Sequence, residues 1–258
     1  MRRFSLTHVV IIKSVAIVLA LAGLPLMWTA VLFFGPDIWV LYHLFMPGAS
    51  GIVPTFTRFQ TDRPEVWLTI DDGPDPHDTP RLLDLLDRHD ARATFFLIGK
   101  RAARYPDLVV EIARRGHEIG HHTHRHRGAL FWCSTPGQVR NELDAAFVAL
   151  TPANGSRPQR FRAPIGIKNV FLAKALAERG LVCVGWNVRS HDSFARDPEK
   201  VAARVLRQSR PGSILLLHEG PSLHPRVRVA AIARVLEGLT ARKLRCVIPP
   251  ASQLRQSH

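Results

Sequence analysis

Val66-Trp67-Leu68-Thr69-Ile70-Asp71-Asp72-Gly73-Pro74 is the stretch on which the fold turns. Its first five residues are apolar and partly β-branched and predict a short strand. Two aspartates and a Gly-Pro turn follow it. Successive side chains of a strand point to opposite faces, so one carboxylate can face a metal and its neighbour a substrate. Two carboxylates this close repel, and a cation between them relieves the repulsion. An ordinary turn uses the same residues, and the pair gains meaning only from what stands at the ends of the other strands.

Outward from this strand the chain alternates. Asp78-Thr79-Pro80 starts a helix with a polar cap and proline in the first turn, and Leu82, Leu83, Leu85 and Leu86 form its apolar face. Ala93 to Ile98 is the next strand, closed by Gly99. Pro106 to Arg115 is a helix ending at Gly116, and His117 to Gly120 is a short strand. Further helices are expected over 136–150, 169–179, 198–208 and 226–241, and strands over 160–162, 181–186, 213–217 and 244–248. Seven strands alternating with helices imply a parallel sheet. The polar clusters all fall just after strands, where α/β barrels carry their function. The expected fold is therefore α/β, a distorted (β/α) barrel of about seven parallel strands.

Ahead of this domain, Ser14 to Pro36 are 23 residues without a charge, and Val15 to Phe34 is almost all apolar. Twenty helical residues span about 30 Å, the thickness of the hydrocarbon core. The expectation is one N-terminal transmembrane helix, kinked at Pro25. A cleaved signal peptide needs a shorter apolar core and a small-x-small site. The next segment, Trp39 to Met46, stays apolar and aromatic, as an interfacial helix or a collar on the domain does. Arg2, Arg3 and Lys13 precede the run, and no Lys or Arg follows until Arg58. That asymmetry puts the N-terminus in the cytoplasm and the domain across the inner membrane, in the periplasm or outside the cell. The expected division is a cytoplasmic tip and transmembrane helix over 1–36, an interfacial or linker segment over 37–57, and the catalytic domain over 58–258.

The 258 residues carry 35 Lys and Arg against 21 Asp and Glu, a formal +14 with histidine neutral, and 29 of the cations are Arg. They form no run of five or six, which fits a solvated or membrane-facing surface. No nucleic-acid-binding motif accompanies the charge, so nucleic acid is not an expected partner. With 46% apolar and 22% charged residues, the chain is not of a disordered type. Cys133, Cys183 and Cys246 lack C-x-x-C spacing, which excludes a zinc ribbon or dithiol redox site. Cys183 and Cys246 lie in apolar runs and read as buried small hydrophobes.

Four clusters stand after strands: Asp71-Asp72, the histidines of 117–126, Arg162 and His218. Five of the 13 histidines fall within His117-Glu118-Ile119-Gly120-His121-His122-Thr123-His124-Arg125-His126. His122 and His126 are four apart, a spacing that lets two imidazoles converge on one ion from a helical turn. By spacing alone His117, His121 and His124 compete with them. Two His and one Asp leave coordination positions open, which suits Lewis-acid hydrolysis rather than a closed structural site. His218 ends the apolar run Ile214-Leu215-Leu216-Leu217, where it can cap the strand or act as a general acid near neutral pH.

Taken together, these motifs resemble the polysaccharide deacetylase family, carbohydrate esterase family four, also called the NodB-homology domain. Thr69-Ile70-Asp71-Asp72-Gly73-Pro74 is similar to the family's T-F-D-D-G-P. Glu118 to His126 resembles E-I-G-N-H-T-x-S-H, Arg162-Ala163-Pro164-Ile165-Gly166 resembles R-x-P-x-G, Trp186 through Asp192 the W…D motif, and Leu215-Leu216-Leu217-His218 the final L-x-L-H. The resemblance implies roles residue by residue. Asp71 is the catalytic base and Arg162 orients it. Asp72, His122 and His126 hold the divalent metal, in this family zinc and sometimes cobalt, nickel or another divalent ion such as manganese. His218 protonates the leaving amine, and Asp192 tunes its pKa. The backbone N–H of Ile165 holds the oxyanion, and Trp186 helps wall the site.

Three positions depart from the family pattern. Ile165 stands where an aromatic residue is usual, Arg125 replaces a serine and puts a cation by the site, and Ser193 replaces a tryptophan. The first and third thin the aromatic wall of a polysaccharide groove. The resemblance implies a metal-dependent hydrolase of a non-peptide C–N bond, and the apolar N-terminal run makes it a membrane-anchored one. Its expected substrate is the N-acetyl group of an amino sugar, in a polymer such as peptidoglycan or in a lipid-linked sugar. The alternative is a non-catalytic sugar- or metal-binding module that keeps the fold.

Overall fold

A computed structural model describes residues 6–151 and 157–256. Arg2 and Arg3, on which part of the charge asymmetry rests, lie outside the described residues. The apolar run expected to be one helix over 14–36 forms two, α1 (Leu6–Leu21) and α2 (Leu26–Phe45). The break falls where Gly23 takes a left-handed φ of 86° and Pro25 denies the backbone an N–H while disfavouring helix at Leu24. Pro25 thus caps α2 rather than kinking a continuous helix. Pro36 lies inside α2. Lys13 Nζ meets Asp37 Oδ2 at 2.6 Å and ties the two helices into an antiparallel hairpin. Among the described residues, α2 is the one helix long and apolar enough to cross a membrane. Within residues 37–57, Leu44 and Val53 are buried.

The strands are β1 (Thr55–Phe59), β2 (Glu65–Asp71), β3 (Ala93–Leu97), β4 (Glu118–His121), β5 (Arg160–Phe161), β6 (Val182–Val184), β7 (Val188–Arg189), β8 (Ile214–His218), β9 (Arg245–Cys246) and β10 (Leu254–Gln256). The helices between them are α3 (Thr79–Arg88), α4 (Gly99–Arg104), α5 (Pro106–Arg114), α6 (Pro136–Leu150), α7 (Leu172–Ala177), α8 (Pro198–Gln208) and α9 (Arg228–Ala241). The strands make one curled sheet in the order β10-β1-β6-β5-β4-β3-β2-β8-β7, with β9 beside the start of β2. Pairing is parallel except between β1 and β10. An antiparallel bridge from Arg58 to Ser213 draws β1 toward β8 and curls the sheet into a half-barrel.

The expected barrel architecture holds, with ten strands in place of seven. The additional strands β1, β7 and β10 are two to five residues long, too short to carry a clear period of two.

Alternation along β2 divides the interior. Val66, Leu68 and Ile70 face the helices and join α3, α5 and α9 in the largest apolar cluster. Each fully buried leucine or isoleucine there contributes roughly 1.5–3 kcal/mol. Trp67, Thr69 and Asp71 face the other way, into the half-barrel, where the Trp67 indole N–H donates to Thr94 Oγ1 at 2.8 Å. Register aligns the carboxyl ends. Asp71 pairs with His218 on one side and Phe96 on the other, Leu97 with His121, and His121 with Phe161. Residues 71, 122, 162 and 218 therefore emerge at one level. Cys183 and Cys246 are buried, while Cys133 is exposed.

Candidate active site

Asp71 ends β2, and its Oδ1 accepts from Arg162 Nη1 at 2.7 Å. Arg162 is wholly buried. It also donates to Thr69 Oγ1 at 2.7 Å, Val184 O at 3.2 Å and Gly185 O at 2.9 Å. Its guanidinium lies 4.2 Å from the Phe96 ring centre and 5.5 Å from that of Trp186. Four acceptors and two aromatic rings thus fix one planar cation, a geometry that lysine cannot reproduce.

Asp72 turns out of the strand with φ 73°, a conformation Asp tolerates better than most residues. Arg101 Nη1 donates to its carbonyl at 2.5 Å. Asp72 Oδ1 lies 3.5 Å from His122 Nε2 and 3.3 Å from His126 Nε2, and the three donor atoms fall within 4.8 Å of one another. His122 Nδ1 faces the Arg162 carbonyl at 2.9 Å. A carbonyl only accepts, so Nδ1 carries the proton and Nε2 keeps its lone pair for the cluster. Burial pushes His126 down to about 4, which leaves it neutral and able to ligate. Burial works against the Asp72 anion, but contact with His122 and the charges of His122, His126 and His218 outweigh it and hold the carboxyl well below the usual range. Asp72 Oδ1 is buried without a hydrogen-bond partner. An orphaned anionic oxygen facing two imidazole lone pairs is a donor set that fits a divalent cation.

The competing histidines are engaged elsewhere. His121 Nε2 meets Leu143 O at 2.9 Å and its Nδ1 accepts from Thr123 N at 3.1 Å. His117 is buried edge-on against Phe95, and burial holds it near 4. His124 lies against Gly99, outside the cluster. The expected helical turn from His122 to His126 is absent. The segment is a loop in which Thr123 and His126 both have positive φ, and Thr123 Oγ1 accepts from His126 N at 3.1 Å. The four-residue spacing converges because the chain folds back through left-handed conformations. Arg125, expected as a cation by the site, is 74% exposed and turned toward Glu142.

His218 ends β8. Its Nδ1 meets Asp192 Oδ1 at 2.7 Å, and its backbone N–H donates to Asp192 Oδ2 at 2.8 Å. Burial alone would lower the imidazole, but the Asp192 carboxylate outweighs it with help from Asp71 and Asp72, and raises His218 to about 9. The ring is thus protonated at neutral pH, with Nε2 as its free donor. Ile165 sits at φ 49°, ψ 15° in a 3-10 turn over Pro164–Gly166, a strained conformation for a β-branched residue. Its side chain is half exposed. Trp186 packs against Gly166, where an added Cβ would come within 2.8 Å of the indole.

Several supporting residues escaped the sequence reasoning. Glu142 Oε2 accepts from His124 N at 3.0 Å and Arg125 N at 2.8 Å and so pins the histidine loop. Glu219 is buried, is pushed up to about 8 by burial, and accepts from Thr79 Oγ1 at 2.5 Å. It lies so close to Gly73 that a Cβ there would meet its Oε1 at 1.8 Å. An acid directly after a buried strand was a visible signal for Glu219. Lys168 gave none. It is buried, its N–H donates to Leu44 O at 2.9 Å, and its Nζ donates to Met46 O at 2.6 Å.

Comparison with known proteins follows the same lines. The family model for polysaccharide deacetylase matches residues 59–184. A peptidoglycan-N-acetylglucosamine deacetylase of Bacillus cereus is 33% identical over 190 residues, which cover 74% of this chain and 68% of that protein. A chitooligosaccharide deacetylase of Bradyrhizobium sp. (strain ANU 289) is 38% identical over 156 residues, covering 60% and 70%. Among solved structures, a peptidoglycan N-acetylglucosamine deacetylase in complex with 4-naphthalen-1-yl-N-oxidanyl-benzamide superposes with TM-score 0.71 at 32% identity, over 79% of this chain and 94% of that one.

Proposed function

Since the chain belongs to the polysaccharide deacetylase family, we propose that it is a metal-dependent N-deacetylase of an amino-sugar polysaccharide or glycolipid, held at the inner membrane by α2. The observation that carries this is the arrangement of three converging donors, Asp72, His122 and His126, beside a base fixed by Arg162 and an acid fixed by Asp192. Two imidazoles and one carboxylate suit zinc, and cobalt, nickel or manganese can take the same donors. A divalent cation bound there supplies Lewis acidity for an attack by water on an amide.

The chain's own groups do the rest. Asp71 accepts the proton of the attacking water, with its carboxylate oriented by Arg162. The backbone N–H of Ile165 donates to the oxygen that gains negative charge. His218 gives its Nε2 proton to the departing nitrogen, which leaves poorly as an anion. The Trp186 indole, braced on Gly166, forms a wall. A non-catalytic binding module would leave the Arg162–Asp71 and Asp192–His218 pairs without a task. A periplasmic domain rests on the absence of Lys and Arg between Ser14 and Arg58, while the α1–α2 hairpin turns Lys13 back toward the domain end of α2.

The test is release of acetate by the full-length, zinc-loaded protein in detergent. The substrates are acetylated chitooligosaccharide, peptidoglycan fragments and an N-acetylated glycolipid. Release from at least one, abolished by chelation and restored by metal, is the expected outcome. Metal-replete protein inert on all three would favour the binding module.

A further inference from the structure

The end of α2 is part of the wall of the site. Residues 44–47 are held to the Ile165 loop by Lys168 N to Leu44 O at 2.9 Å and by Lys168 Nζ to Met46 O at 2.6 Å. Pro47 fills the space over Gly166, where a Cβ would come within 2.7 Å of the proline ring. The Phe45 ring lies 5.6 Å from that of Trp132. Asn169 Nδ2 locks the Trp132 loop through Phe131 O, Trp132 O and Ser134 O at 3.1, 2.9 and 2.8 Å. No flexible tether separates the apolar helix from the catalytic rim, so the level of the helix end sets the level of the site.

The surface beside that helix end is apolar. Leu130, Trp132, Ile165 and Met46 are 59%, 40%, 49% and 48% exposed. Trp39 and Tyr42 lie in the last two turns of α2, the position of an interfacial aromatic belt. Exposed aromatic and aliphatic groups continuous with the end of a membrane-length helix suit the headgroup region of a bilayer better than water. A polymer lying in the wall would have to approach a mouth that faces lipid.

We propose that this rim rests on the outer surface of the bilayer and that the substrate is a membrane-resident glycolipid, an N-acetylated amino sugar whose hydrocarbon tail stays in the lipid while its headgroup enters the site. This rests on the deacetylase assignment of the site and on α2 as the membrane helix. Both partners are then confined to one surface, which raises their effective concentration.

The test uses the full chain in phosphatidylethanolamine/phosphatidylglycerol vesicles loaded with zinc. Two probes carry the same N-acetylglucosamine headgroup, one as a soluble oligosaccharide and one on a long-chain lipid. The lipid probe should be turned over with kcat/KM about 100-fold higher, the scale of a modest effective-concentration gain. Equal or faster turnover of the soluble probe would overturn the proposal and leave the deacetylase assignment standing. Failure of both probes by metal-loaded protein that releases acetate from peptidoglycan fragments would overturn the glycolipid proposal alone, whereas inertness on every substrate would refute the deacetylase assignment.

An independent arm places a nitroxide at Leu130→Cys in a Cys133→Ser background, with Val148→Cys on α6 as a control. The label at 130 should be accessible to oxygen and shielded from a water-soluble nickel chelate, while the label at 148 should be exposed to the chelate. Equal chelate access at both positions would refute the bilayer contact whatever the catalytic rates.

Discussion

Replacing Asp192 by asparagine removes the charge that keeps His218 an acid, while keeping the shape of its partner. Asp192 Oδ1 and His218 Nδ1 are 2.7 Å apart in a buried pair, and His218 stands at about 9 against an ordinary 6.5. That difference is worth roughly 3 kcal/mol. Without the carboxylate, burial is opposed only by the weaker pull of Asp71 and Asp72, and the imidazole should fall to its ordinary 6.5 or below. At pH 8 its protonated fraction then drops from about 90% to about 3% or less, a loss of at least about 30-fold in amide hydrolysis from protonation alone.

The loss should shrink as the pH falls, because the variant's imidazole then regains its proton. The assay is kcat/KM for acetate release between pH 5.5 and 9.5, with metal content measured at each end. The basic limb should move down by two units or more. A basic limb that stays in place would refute the role of Asp192 and, with it, His218 as the titrating acid. The same pair contributes to stability with a definite sign. His218 is raised on folding, so its contribution is complete below pH 6.5 and disappears as the pH rises through about 9.

His126→Ala should lower zinc occupancy sharply and leave the far-ultraviolet circular dichroism unchanged. Unaltered stoichiometry by elemental analysis would move the site to other residues. Asp71→Asn should slow an amide and an activated aryl ester alike, by roughly 10²–10⁴-fold, with metal retained. His218→Ala should slow the amide far more than the ester, whose leaving group departs unassisted, and equal small losses on both would reduce His218 to a strand cap. A reporter active only outside the cytoplasm should work when fused at the carboxyl terminus, and activity confined to the cytoplasm would overturn that orientation.

Much of the site was legible because its chemistry is written in adjacent residues at strand ends. Asp71-Asp72, the histidine cluster, Arg162 and His218 each follow a strand whose apolar character is plain, and parallel register brings such ends to one level. The choice of His122 and His126 over their neighbours came from family resemblance. Its physical reason, a pair of left-handed residues at 123 and 126, has no periodic signature. The break at Gly23–Pro25 was misread as a kink, because hydropathy runs through it unchanged while backbone geometry does not. Lys168 and residues 44–47 meet across more than 120 positions of sequence. Glu142 reaches the histidine loop from α6, and its partners are backbone N–H groups, which no side-chain pattern announces.

The position of β1 imposes an order on assembly. This strand follows the apolar helices and is among the first parts of the domain to be synthesised. Its neighbours are β6 and β10, paired through Cys183, Val184 and residues 254–256. The strand that follows α2 is therefore made early and enclosed late, with open edges during most of the domain's synthesis. Pairings so distant in sequence close slowly. Holding β1 at the end of α2 gives the later segments a fixed template to return to, so the apolar helix that precedes the domain also positions the seam at which its sheet is finished.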